Sequence, residues 1–109
     1  MRALKESTMP ATLTEQEFSK HLNSKFQLKL ENRELELELV EVKGYPAGPN
    51  ERSGMERFSV FFEGPSDVYL PQRLYPLKHE RMGDFEIFLV PIAQNENGYR
   101  YEAVFNYFK

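Results

Sequence analysis

Cysteine and tryptophan are absent from this chain, and histidine and aspartate occur only twice each, as His21, His79, Asp67 and Asp84. Without cysteine the fold cannot rest on disulfides, and thiolate metal sites and thiol nucleophiles are excluded. Two histidines, with neither HxH nor HExxH spacing, make a poor zinc set. Long apolar runs are missing as well. No stretch approaches the ~20 residues of a membrane span, and the opening Met-Arg-Ala-Leu-Lys-Glu-Ser-Thr has no signal-peptide core, so a soluble cytoplasmic protein is expected. Basic charge is in deficit: a net charge of -3 and a pI near 5.4 argue against nucleic-acid binding, which needs a basic face to displace counterions from phosphates. Gly44, Gly48 and Gly54 fit neither GxGxxG nor a P-loop, and no GxSxG elbow occurs. The expectation is a protein that is not an enzyme and carries no cofactor or metal.

What is present is a single β-rich domain. At 109 residues the chain can bury one core and not a second. Hydrophobic residues at 40% and charged ones at 28% are ordinary globular values, and nine Phe and six Tyr favour strands, on whose pleated surface rings pack well. The most apolar run is residues 83–92, Gly-Asp-Phe-Glu-Ile-Phe-Leu-Val-Pro-Ile, which reads as a central strand. Phe85, Ile87 and Leu89 share one face and Phe88, Val90 and Ile92 the other, so apart from Glu86 both faces are expected to be buried.

The other elements fall around it. Residues 1–12, interrupted by Pro10, show no period and read as a flexible lead-in to a domain at 13–109. Thr14-Glu15-Gln16-Glu17 fits a capping box, with Leu13 and Phe18 as its hydrophobic staple. The short helix that follows carries Phe18 and Leu22 as an apolar stripe, stops at Asn23, and is too short to stand without a sheet beneath it. Residues 25–30 alternate with Phe26, Leu28 and Leu30 inward, and residues 33–39 with Leu35, Leu37 and Leu39 inward and glutamates outward. These two strands form a hairpin, either with Leu30 opposite Leu35 or with a tighter loop at Glu31-Asn32. The phase slips at Val40, which predicts a bulge, and residues 44–54, rich in Gly and Pro, read as a mobile loop.

A third strand places Phe58, Val60 and Phe62 inward, with Phe61 marking a second covered face. A fourth spans 74–79, its inward set being either Tyr75 with Leu77 or Leu74 with Pro76, and Pro76 makes it an edge or bulged strand. Asn95-Glu96-Asn97-Gly98 forms a tight turn into a last strand over 99–107, with Asn-Gly supplying positive φ angles. The fold expected is mainly β: about six antiparallel strands in a curled meander or small barrel, with one short N-terminal helix plugging one opening.

Few groups offer chemistry. His21, near the helix end, suits the helix dipole. His79 with Glu80 and Asp84 is the best polar cluster, although a turn rich in charged residues gives that pattern by default. Glu34, Glu36 and Glu38 alternate on a solvated strand face. Among the aromatics, Tyr99, Tyr101, Tyr107 and Phe108 are candidates for a partner-binding surface, the alternative being that they pack in or around the core.

The chain resembles a family of small bacterial domains with no assigned function. The resemblance runs from about residue 13 to 106, through Leu-Thr-Glu-Gln-Glu-Phe, Glu-Leu-Glu-Leu-Glu-Leu-Val-Glu-Val, Phe-Ser-Val-Phe-Phe-Glu-Gly-Pro, Leu-Pro-Gln-Arg-Leu-Tyr-Pro-Leu-Lys-His, Phe-Glu-Ile-Phe-Leu-Val-Pro-Ile and Tyr-Glu-Ala-Val-Phe-Asn. Members of that family tend to be encoded near phage-tail-collar or tail-fibre-like proteins, which implies an accessory or assembly role. The function expected is a structural or protein-interaction domain with a protein partner, or a second copy of itself, at a sheet edge or the aromatic end. A small β-barrel carrier of an apolar ligand is the alternative.

Overall fold

Strict alternation of apolar and polar residues commits most of this chain to strands, and the strands close on themselves. The computed structural model describes residues 13–45 and 55–108. The lead-in expected at 1–12 and most of the loop expected at 44–54 lie outside the described residues. In chain order the elements are α1 (Glu15–Ser19), β1 (Lys25–Lys29), β2 (Glu34–Tyr45), β3 (Met55–Gly64), β4 (Arg73–His79), β5 (Gly83–Asn95) and β6 (Gly98–Phe108). All six strands form one closed antiparallel barrel in the order β1-β2-β3-β6-β5-β4.

The ring is built from two three-stranded meanders rather than one. β3 pairs with β6 over ten residues, whereas β1 and β4 close the ring through only Gln27↔Lys78 and Leu28↔Leu77. The ladder to β1 stops at Leu77, one residue short of Pro76, which has no N–H to extend a ladder. The β1–β2 hairpin takes the tighter loop: Leu28 faces Leu35, Phe26 faces Leu37, and the Leu30 amide donates to the Arg33 carbonyl at 2.8 Å. The expected bulge lies between Leu39 and Glu41. The turn into β6 differs from expectation. Its centre is Glu96-Asn97, with Asn95 Oδ1 accepting from both the Asn97 and Gly98 amides, and of these residues only Gly98 has positive φ. The side chain of Asn95 organises the turn, so Asn97 needs no left-handed backbone.

One set of residues from each strand fills the barrel: Phe26, Leu28, Leu35, Leu37, Leu39, Phe58, Val60, Phe62, Tyr75, Leu77, Phe85, Ile87, Leu89, Tyr101 and Ala103. Tyr75 with Leu77 is thus the inward pair of β4. The expectation that both faces of residues 83–92 are buried is corrected: Phe88 and Ile92 are exposed, because a closed barrel has one interior and the second face of β5 looks outward. Phe61 does have a covered outer position, beneath the Arg100 guanidinium 5.0 Å from its ring centre. Among the described residues no helix is long and apolar enough to cross a membrane.

Both mouths of the barrel are closed. At one, α1 begins with Thr14 Oγ1 accepting from the Glu17 amide at 3.0 Å. It seats Phe18 against the rings of Phe26, Phe58, Phe85 and Phe105. The Glu17 carboxylate lies near Lys20 and His21. The helix ends before Leu22, which is 40% exposed instead of sharing a stripe with Phe18, and Asn23 turns the chain with a φ of 69°. At the other mouth, residues 65–72 cross from β3 to β4 on opposite sides of the ring. Leu70 is buried in that crossing, and its amide donates to the Tyr101 hydroxyl at 3.1 Å.

Candidate functional site

The histidine singled out in the sequence is a structural centre. Continuing the inward alternation of Tyr75 and Leu77 by one step carries His79 into the mouth closed by α1, where it is 5% exposed. Its Nδ1 accepts from the Arg81 amide at 3.0 Å and the Met82 amide at 3.1 Å. The ring proton therefore sits on Nε2, which lies 2.9 Å from Ser24 Oγ, and that hydroxyl in turn donates to the His21 carbonyl. The His21 ring is 4.7 Å from that of His79, centre to centre, and the Phe26 ring 4.2 Å away. Burial, reinforced by His21, pulls the His79 pKa below the ordinary histidine value of 6.5. Every polar atom of this imidazole has a partner within the protein, so the arrangement holds the turn and α1 to β4 and offers no free base.

The other members of the expected cluster make no hydrogen bond or ion pair with His79, although Glu80 faces it closely enough to favour its charged form. Glu80 is an exposed turn residue, and Asp84, opposite Lys78 in the ladder, is exposed on the outside of β5. Among the described residues no group of three or more His, Asp or Glu is placed to hold a metal ion.

The aromatic candidates also separate. Tyr101 is fully buried, with its hydroxyl bonded to Leu70, and burial raises its pKa above 10.0. Tyr99 is half-buried, its ring meeting those of Tyr69 and Tyr101. Neither is an open contact surface. The side chains of Tyr107 and Phe108 lie outside the described residues.

The feature that sequence reasoning missed is on the outside of the barrel. Leu74 and Phe88 are direct cross-strand partners on β4 and β5. The β5–β6 ladder ends with Val90 opposite Glu102, and Val104 stands two residues further along β6, where it faces Ser59 on β3. These side chains are large and open: Leu74 is 55% exposed, Phe88 48% and Val104 60%, with Ile92 at 45% beside the β5 bulge. The signal was available in the outward set of β5, where Asp84 and Glu86 alternate with Phe88 and identify its face as the solvent one. The opposite side of the barrel is different in kind. The outward residues of β1 and β2 include Lys25, Lys29, Glu34, Glu36 and Glu38, with Lys25 and Glu38 paired at 3.5 Å. Beside Val104 a polar network runs over the outside of β2, β3 and part of β6: the Tyr45 hydroxyl donates to Ser59 Oγ, Ser59 donates to Glu102, and Arg100 bonds Glu41 at 2.6 Å and Glu63 at 3.3 Å.

Comparison with known proteins gives a family. The chain belongs to the DUF6916 family, a domain of unknown function, whose pattern matches residues 13–105. No curated protein matches the chain, and no solved structure does.

Proposed function

We propose that this domain is a non-enzymatic protein-interaction module that docks its partner on the outer face of β4, β5 and β6. The observation that carries this reading is the row Leu74, Phe88 and Val104, with Ile92 beside it, all exposed on one side of a barrel whose β1–β2 side is charged. Single exposed apolar residues are normal on a protein surface, whereas a cross-strand pair such as Leu74 and Phe88 with further apolar residues on the adjoining strands marks an interaction surface. In the ring most strand edges are paired, the β1–β4 seam being the exception with two pairs, so the docking mode proposed is a side-chain face in place of the sheet edge expected from the sequence.

The charges around the row favour one kind of occupant. Asp84, Glu86 and Glu102 lie along it on β5 and β6, against two exposed cations of β4, Lys78 opposite Asp84 and Arg73 beside the Tyr75 ring. An acidic border fits a polypeptide that presents an apolar stripe flanked by lysine or arginine. An accessory place in a phage-tail-like or surface-fibre assembly, which the family resemblance implies, is a setting such a face would suit. No observation favours an apolar-ligand carrier, whose cargo would compete for volume with Phe18, Phe26, Phe58 and Phe62.

The test is fluorescence polarisation of the full chain against a panel of amphipathic peptides with one apolar stripe and either basic or acidic flanks. The basic set should bind, more weakly as salt rises, and a Leu74→Ser/Phe88→Ser double variant with unchanged circular dichroism should lose at least tenfold in affinity. Equal binding of both sets, or binding that survives the double variant, would overturn the reading. So would a dimer that forms through this face, because its occupant would then be a second copy of the chain.

A further inference from the structure

We infer that α1 and the turn after it form a stopper in one barrel mouth, and that adding a second proton to His79 releases it. The inference is independent of the docking face. The stopper is held in three ways. Phe18 packs on four rings of the barrel. Two backbone bonds join the turn to β2, from the Asn23 amide to the Leu39 carbonyl at 2.7 Å and from the Leu39 amide to the Ser24 carbonyl at 3.1 Å. The third tie is side chain to side chain, from His79 Nε2 to Ser24 Oγ, and it joins residues 55 positions apart.

The neutral state is needed at the other ring nitrogen: Nδ1 accepts from the Arg81 and Met82 amides, and that fixes the ring so that Nε2–H reaches Ser24. A second proton has to go to Nδ1, where the Arg81 and Met82 amides already point their own hydrogens. Three donors would then converge on one another. Because the turn is anchored at both ends by β4 and β5, the ring is the part that turns, and turning it breaks the bond to Ser24; a turn at residues 80–82 that opened instead would leave the stopper in place. The surroundings do little to stabilise the charge. From α1 and its turn His79 faces His21 and Ser24, and the nearest carboxylate there, Glu17, is already within 3.6 Å of His21 and 3.3 Å of Lys20. From the β4–β5 turn come Glu80 and Arg81, which oppose each other; from β1 comes the apolar Phe26 ring, and β5 places Gly83 opposite. A cation at His79 therefore sits against a second imidazole, and the carboxylate that favours it, Glu80, is offset by Arg81.

Release would uncover Phe26, Phe58, Phe85 and Phe105, converting a closed barrel end into an aromatic opening only in acid. The β3–β6 side of the barrel has no part in the event, since none of the ten residue pairs that join those strands includes a histidine.

Amide hydrogen exchange on the full chain at pH 7.5 and pH 5.0, corrected for intrinsic rates, tests this. Residues 15–24 should exchange at least tenfold faster at pH 5.0 while β3 and β6 keep their protection. His79→Asn retains an acceptor for the two amides and takes up no proton, so it should abolish the difference. Should that variant fail to fold, the pH midpoint of the His79 ring signals by NMR in the unaltered protein must coincide with the midpoint of the lost protection. Unchanged protection at residues 15–24, simultaneous loss in β3 and β6, a pH response that persists in His79→Asn, or midpoints that disagree would each overturn the inference.

Discussion

At one mouth of the barrel, α1 inserts Phe18 among aromatic rings and is tied down through a neutral imidazole, while at the other, residues 65–72 insert Leu70 and are tied down through phenols. The Tyr101 hydroxyl accepts from the Leu70 amide, and the Tyr75 hydroxyl donates to the Pro71 carbonyl. Both closures solve the same problem, since a barrel of six strands leaves apolar ends that water would reach. They differ in the group chosen for the tie. An imidazole changes charge near neutral pH and a phenol does not, so one end responds to mild acid and the other is inert there.

The comparison breaks most visibly at the plugs themselves. Phe18→Ala should cost about 3–5 kcal/mol of unfolding free energy and Leu70→Ala about 2–5 kcal/mol, measured by urea titration, because each removes a buried side chain that its neighbours cannot replace. A cost below ~1 kcal/mol at either position would mean that end is not packed as described.

Next in size is the phenol tie. Tyr101→Phe keeps the ring in the core and leaves the Leu70 amide without its partner in a buried place, at a cost of about 1–3 kcal/mol. The same change in α1's tie, Ser24→Ala, removes a bond to a half-buried hydroxyl, so its global cost should be smaller. Measured side by side, the two substitutions ask whether the strap at residues 65–72 is the firmer closure.

Some of this was readable from the residues in order and some was not, for physical reasons. Alternation at residues 25–39, the phase slip at Val40, and the Thr14 cap all depend on near neighbours, and the structure has each of them. Alternation also counts two faces without saying what covers the second one. That is why alternation predicts Phe88 and Ile92 to be buried, whereas they are found in solvent. The pairing of β3 with β6, the crossing of residues 65–72, and the bond between Ser24 and His79 are contacts between distant parts of the chain, on which local pattern is silent. His79 looked like a charged-turn histidine because Glu80 and Asp84 stand near it in sequence, whereas its partners are Ser24 and the amides of its own turn.

The pH dependence of stability should show both ties, with opposite signs. His79 has a folded pKa below 6.5, so the unfolded chain binds the proton first. Its contribution is complete above pH 6.5 and is lost as pH falls from there through the folded pKa. Tyr101 and Tyr75 have folded pKa values raised above 10.0 by burial, so the unfolded chain releases those protons first. Their contribution is complete below pH 10.0 and is lost as pH rises beyond it. Urea midpoints across this range should form a plateau that falls on both sides, with His79→Asn flattening the acid limb alone and Tyr101→Phe weakening the alkaline one.

The smallest change is the most discriminating. Thr14→Ala removes the hydroxyl that accepts from the Glu17 amide and should weaken α1 by ~1 kcal/mol without touching the core. If α1 and the barrel unfolded together, the urea midpoint would report that loss in full. A stopper that leaves its mouth while the barrel stays intact reports it elsewhere: amides at residues 17–21 should exchange about fivefold faster, as ~1 kcal/mol implies, with β3 and β6 unchanged. Proportional acceleration at all sites would show that the helix opens only with global unfolding, and the contrast between the two mouths would then be one of chemistry without independent motion.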